Sequence, residues 1–193
     1  MSRQLVVVDC ETTGLDPARH VVLEIAAINV ATDAELHFAP WIPTGVMDAA
    51  SPKALAINGY FEREVWALIP ETVEGDRNNW NALWRMLDGN TLAGSNPAFD
   101  AAMLMRGYTV AMAARFDIPV SHKHPWHHRL ADLAAYAAPA LGLLPTQLPG
   151  LKAVCDLLGV VLAESDEHTA LGDARATAEC FRRLIADYAA VTK

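Results

Sequence analysis

The chain has 193 residues, 52% of them hydrophobic and 20% charged, which suits one folded domain with a sizeable core and excludes a disordered tail. Its formal net charge of −8 excludes a protein that coats nucleic acid through general phosphate neutralisation. It leaves room for an acidic enzyme whose excess negative charge is cancelled locally by bound cations.

The elements follow in chain order. Residues 4–9 are a near-continuous apolar run and predict a buried central strand. Residues 12–19 hold Gly14 and Asp16-Pro17, a turn signal. Residues 21–30 and 35–39 predict two more strands, paired as a hairpin around Thr32-Asp33. Ser51-Pro52 reads as a cap followed by the first helical position, opening a short helix that Asn58-Gly59 stops. Residues 61–68 and 72–87 predict helices, the second interrupted at Gly75-Asp76. A short strand over 91–95 leads into Asn96-Pro97, again a cap and first position, and a helix running past Arg106.

Residues 129–138 predict a helix with a brief strand just before it, 139–150 a Pro- and Gly-rich loop, and 151–158 a helix closed by Gly159. Residues 171–191 are the terminal helix, with Thr169 and Gly172 both open as its cap. Strands come first and helices later, with one strand between helices, which predicts an α/β sheet with helices on its faces. Repeats and linkers are not evident, so residues 1–193 read as a single domain.

No apolar run is long enough to span a bilayer, and the one near the N-terminus is too short for a signal peptide. Cys10, Cys155 and Cys180 form no CxxC pair, which fits reduced thiols and a cytoplasmic protein. Cys10 falls between Asp9 and Glu11, so on a strand its side chain points to the opposite, apolar face.

Asp9 and Glu11, two apart on a strand, share a face at its C-terminal edge, where open α/β sheets usually place ligands. Asp100 lies in the first turn of its helix, favoured by the helix dipole. Asp173 is near the start of the last helix, and His168 precedes it at a spacing that lets both face one cavity. Hard oxygen ligands select Mg²⁺ or Mn²⁺ over zinc. Two such ions about 4 Å apart clamp the attacking and leaving oxygens of a phosphoryl displacement. A histidine, with an unperturbed pKa of about 6.5, suits removal of the attacking water's proton. Each residue alone has a plainer reading: a turn or cap for Asp9, a dipole partner for Asp100, a surface or capping residue for His168. The weight lies in the joint pattern.

DCETTGL, NPAFD and HTALGDA resemble the three motifs of the DEDDh exonucleases of the DnaQ-like, ribonuclease H-like superfamily. The resemblance runs almost end to end, and INGYF, ADLAAYA and LKAVCDLLGV join it. It implies a mixed five-stranded sheet flanked by helices and 3′→5′ release of nucleoside monophosphates. By resemblance Asp9, Glu11, Asp100 and Asp173 are ligands for two divalent ions, and His168 is the general base. Thr12 and Thr13 would meet the terminal 3′-hydroxyl with their backbone and Leu15 would pack on the terminal base. Gly14, Asn58 and Phe99 complete the implied substrate contacts. Relatives often carry histidine where this chain has Asn58, and histidine or another polar residue near Ser95.

Single-stranded DNA is the favoured substrate, since DCETTGL and HTALGDA look closer to proofreading subunits than to oligoribonucleases. A separate polymerase is an implied partner, with the apolar loop 139–149 as a candidate contact surface. An RNA trimmer or short-oligonucleotide hydrolase is the second reading, and a noncatalytic adaptor the third.

The segment SHKHPWHHR (121–129) lacks zinc-ligand spacing and reads as a local positive patch near a substrate path, with Lys123 and Arg129. Trp80 and Trp84 share a helix face and read as core. Together with Phe61 and Trp66, they carry the sharper alternative of stacking on single-stranded bases. Arg182-Arg183 reads as a solvated helix face.

Overall fold

The computed structural model describes residues 2–119 and 123–191. Five strands form one mixed sheet: β1 (Leu5–Thr12), β2 (Val22–Asn29), β3 (Glu35–Phe38), β4 (Thr91–Gly94) and β5 (Ala131–Asp132), in spatial order β3-β2-β1-β4-β5. The pairs β1–β2 and β2–β3 are antiparallel, while β1–β4 and β4–β5 are parallel. The sheet is the one expected from the sequence, with helices on both faces.

Alternation along β1 divides the core. Val6, Val8 and Cys10 face α2 (Val73–Leu87) and α3 (Pro97–Val110), joining Trp80, Leu83, Met103 and Leu104. Val7 faces the other way, towards α4 (Leu133–Ala137), α5 (Leu151–Leu158) and α6 (Ala170–Val191), with Leu133, Val154 and Phe181. Cys10 is therefore a buried apolar residue, opposite the carboxylates that flank it in sequence.

β1 runs three residues beyond the expected end. Its pairing with β4 is recorded only from Leu5 to Val7, but β2 stays paired through Glu11 and Thr12. The exposed edge this creates is where the site forms. The short helix α1 (Pro52–Asn58) is capped as expected: the Ser51 side chain accepts from the Ala54 N–H, and Gly59 closes it in the left-handed conformation.

Residues 61–68 do not make the expected helix. They form turns and a 3₁₀ turn over Val65–Leu68, with Glu64 left-handed at φ 52°. Tyr60 and Val65 are buried against Leu23 and Ala39, a spacing that anchors the segment to the sheet instead of following a helical stripe. Conversely, α2 is continuous through Gly75-Asp76. Those residues lie in its first turn, where the Thr72 hydroxyl accepts from the Gly75 N–H and buried Asp76 accepts from the Trp41 N–H. Asn96 precedes α3 in a left-handed conformation and makes no side-chain cap bond. Thr169 caps α6, accepting from the Gly172 N–H at 3.0 Å.

Arg182 and Arg183 are not simply a solvated face. Arg182 bonds Asp33 and the Val30 carbonyl in the β2–β3 turn, and Arg183 donates to the Leu158 carbonyl at the end of α5. Arg175 makes a two-pronged bond to Glu35. These contacts fasten α6 to the edge hairpin and hold its first turn over the sheet.

Candidate active site

The edge of β1 left free by β4 has an N–H at Cys10 that needs an acceptor. Asp100, in the first turn of α3, supplies it: its Oδ1 accepts the Cys10 N–H at 3.0 Å. The carboxylate thereby reaches from the opposite layer to the strand's edge and stands beside Asp9. Asp9, Glu11 and Asp173 each present one oxygen, and these atoms all lie within 4.8 Å of one another. A strand end and a helix start, far apart in sequence, thus converge on one point.

The electrostatics of the cluster follow from burial and crowding. Asp9 is held well above the ordinary carboxylate range, first by burial and then by repulsion from Asp100, Glu11 and Asp173. Burial pushes Glu11 up to about 8, with Asp173 and Glu24 adding repulsion and Arg63 opposing it. Asp100 is raised to about 7 by burial, against the stabilising Cys10 N–H. Asp173 is raised to about 6, again by burial, with His168 pulling the other way. The group has more negative charge than its own cations balance. Clustered carboxylate oxygens of this kind fit a hard divalent cation.

His168 is exposed and takes a left-handed backbone, φ 59°, in the turn before α6. It lines a cavity of about 470 Å³ with Asp173, Glu167, Lys152 and Leu151. Lys152 of α5 is ion-paired with Glu167, which braces the turn next to His168. Gly172 lets that turn close on the helix. A Cβ there would meet the Asp166 carbonyl oxygen at 2.2 Å, so another residue would push the histidine turn away.

The implied substrate residues divide. Leu15 projects into solvent, 83% exposed, beyond buried Gly14. Phe99 is half-buried against the α2–α3 core. Thr12 and Thr13 are buried and already engaged. The Thr12 hydroxyl donates to the Gly14 carbonyl, and the Thr12 carbonyl accepts from Asn58 Nδ2. The Thr13 N–H donates to the Val21 carbonyl, and its own carbonyl accepts from Ser51. Asn58 is turned inward too, its Oδ1 accepting the Tyr60 N–H.

One expectation finds another place. Gly89 donates to the Pro125 carbonyl, His127 donates to the Asn90 carbonyl, and Arg3 contacts His127 Nδ1. Residues 125–127 therefore sit at the N-terminal ends of β1 and β4, the opposite end of β1 from the carboxylates. Ser121 and His122 lie outside the described residues. Trp80 is fully buried and Trp84 stacks on Tyr108, so both belong to the core, while Trp66 and Phe61 remain about half exposed.

Sequence reasoning passed over Glu24. It lies fully buried on β2, opposite Glu11, and bonds Arg63 and His37. A lone acid in VLEIAAIN, an otherwise apolar strand, was the signal available.

Fold and site together define a ribonuclease H-like nuclease architecture: a mixed five-stranded sheet with an acidic cluster at the end of its central strand. The exonuclease family model RNase_T matches residues 6–181, and the chain belongs to this DnaQ-like, DEDD-type exonuclease family. A DNA polymerase III subunit epsilon-like protein of Rhodobacter capsulatus is 31% identical over 185 residues, covering 93% of this chain and 23% of that protein. Exonuclease I of Methylocaldum szegediense is similar in structure, with a TM-score of 0.63 and 19% identity, covering 96% of this chain and 41% of that one. A 3′-exonuclease solved in recognition of a histone mRNA stem-loop gives 0.67 at 12% identity, covering 95% of this chain and 64% of that one. The chain thus spans about a quarter of the curated relative's length.

Proposed function

We propose that this chain is a metal-dependent 3′→5′ exonuclease that releases nucleoside monophosphates, with single-stranded DNA as its preferred substrate. The convergence of Asp9, Glu11 and Asp173 within 4.8 Å carries the reading. Asp100 stands beside Asp9, and His168 lines the adjoining cavity.

Asp9, Glu11, Asp100 and Asp173 would hold two Mg²⁺ or Mn²⁺ ions. When bound, such a pair polarises the phosphate, lowers the pKa of the attacking water and stabilises the departing oxygen. His168, braced through Glu167 and Lys152, accepts the proton of that water at an imidazole nitrogen. Leu15, exposed just past the strand end, packs against the terminal base.

The epsilon-like relative supports a role beside a separate polymerase. Leu144 and Leu148 in the 139–149 loop, 60% and 45% exposed, offer an apolar contact surface for it. Three cysteines, all free thiols, support a reducing, cytoplasmic setting. Among the described residues no helix is long and apolar enough to cross a membrane.

An RNA-trimming reading is supported by the structural likeness to the histone mRNA 3′-exonuclease. One experiment separates the readings: digestion of end-labelled single-stranded and duplex DNA and RNA of matched sequence, with Mg²⁺, Mn²⁺ or chelator. The expected result is metal-dependent shortening from the 3′ end, fastest on single-stranded DNA. Faster cutting of RNA would favour the trimmer, and no cutting with either metal would favour a noncatalytic adaptor.

A further inference from the structure

We propose that Arg63 is a positioning residue for this reaction: clamped by buried Glu24, it seats the turn after α1 against the strand end that carries Glu11, and so shapes the place where the substrate's terminal nucleotide docks. The inference rests on the nuclease reading above.

The starting point is an arrangement that ought to be unfavourable. Glu24 lies directly across the antiparallel ladder from Glu11, and like charges in such a pair repel. Glu24 is also fully buried, where an unpartnered carboxylate is costly. Arg63 offsets both costs in part. Its Nη2 donates to Glu24 Oε1 at 2.7 Å and brings a positive charge to that buried carboxylate. His37 Nε2 lies 2.8 Å from the same oxygen, while Oε2 has no hydrogen-bond partner among the described residues.

The guanidinium does more than neutralise. Its Nη1 donates to the Asn58 carbonyl at 2.8 Å. Asn58 Nδ2 in turn donates to the carbonyl of Thr12, the residue after Glu11. One chain of bonds therefore runs from Glu24 through Arg63 and Asn58 back to the end of β1. The turn is built for it: Gly59 is left-handed at φ 58°, and a Cβ there would meet Arg63 Cδ at 3.2 Å. The Arg63 stem lies flat over that glycine. The turn also carries Phe61, 57% exposed and edge-on to Tyr60. A lysine at 63 would still reach Glu24, but a point charge without the planar fork would hold the Asn58 carbonyl less firmly at the same time.

The test is steady-state cleavage of a single-stranded DNA oligonucleotide by the full chain with Mn²⁺, together with anisotropy binding of the same oligonucleotide carrying a 3′-terminal phosphorothioate. Arg63→Ala is expected to raise KM and weaken binding by about 10-fold, with kcat within about threefold of wild type. Arg63→Lys recovers part of the loss, and Glu24→Gln, which keeps the shape but removes the charge, falls between. A purely structural ion pair would lower Tm and leave KM unchanged in the folded protein, and that outcome overturns the proposal. If Arg63→Ala does not fold, wild-type KM and binding in both Arg63→Lys and Glu24→Gln overturn it equally. A wild-type chain that neither cuts nor binds overturns the nuclease reading and this inference with it. A wild type that cuts, with variants indistinguishable from it, overturns the inference alone.

Discussion

Asp9 sits where two opposing demands meet. Burial and four neighbouring carboxylates oppose its charge, yet that charge is what a cation needs. Asp9→Asn keeps the side-chain shape and removes the conflict. We expect metal-dependent cleavage to fall by at least about 100-fold, while the Tm in chelator rises, because the crowded cluster is relieved. Near-normal cleavage would remove Asp9 from the ligand set. His168 differs because it is exposed and supports little of the fold. His168→Ala should slow cleavage by about 10² to 10⁴ and flatten the acid limb of the pH–rate profile, with Tm unchanged. At saturating metal, where the ligand carboxylates are held ionised, a retained acid limb would assign the proton to another group.

At the scale of elements, α2 and α3 are joined through Trp80. Its ring meets Phe38, Trp84 and Tyr108 edge-on, at centroid distances of 5.8, 5.6 and 5.9 Å. It also passes so close to Gly107 of α3 that a Cβ there would lie 3.0 Å from it. Trp80→Ala should cost about 3–5 kcal/mol in urea unfolding, since rigid neighbours close only partly on the space. A loss under about 1 kcal/mol would mean that the layer repacks freely. This packing matters to the site because α3 carries Asp100. The helix must be seated before that carboxylate can reach the Cys10 N–H.

For the whole molecule, the carboxylate cluster sets how stability varies with pH. Asp173, Asp100 and Glu11 titrate near 6, 7 and 8 in the folded chain, against about 4 when unfolded. Between those limits the folded state holds more protons, so stability falls as pH rises from about 4 to about 8. Glu24 has the opposite sign. Its desolvation is outweighed by His37 and Arg63, so its contribution is present above about 4 and lost only in acid. In chelator the Tm should therefore decline from pH 5 to pH 8. Added Mg²⁺ or Mn²⁺ should restore more at pH 8 than at pH 6, because cations bind the ionised carboxylates. A chelated protein that gains stability across this range, or a metal increment that does not grow with pH, would contradict the cluster's electrostatics.

Much of this was written locally in the chain. Apolar runs marked β1 and β2, Ser51-Pro52 marked the start of α1, and Gly159 marked the end of α5. The spacing of Asp9 and Glu11 put both on one face of a strand, because side-chain direction there has a period of two residues. The motifs around Asp100 and Asp173 placed them at helix starts. Other features depended on neighbours remote in sequence. Residues 61–68 have a composition that suits a helix, but Tyr60, Arg63 and Val65 are drawn onto the sheet. Residues 125–127 of the histidine-rich segment fall at the opposite end of β1 because His127 pairs with Arg3 and Asn90. Glu24 is silent as a single letter in an apolar strand until Glu11, His37 and Arg63 surround it. Periodicity and caps act over a few residues and can be read in order, whereas counter-charge and burial are properties of the space that the folded sheet and its helices create.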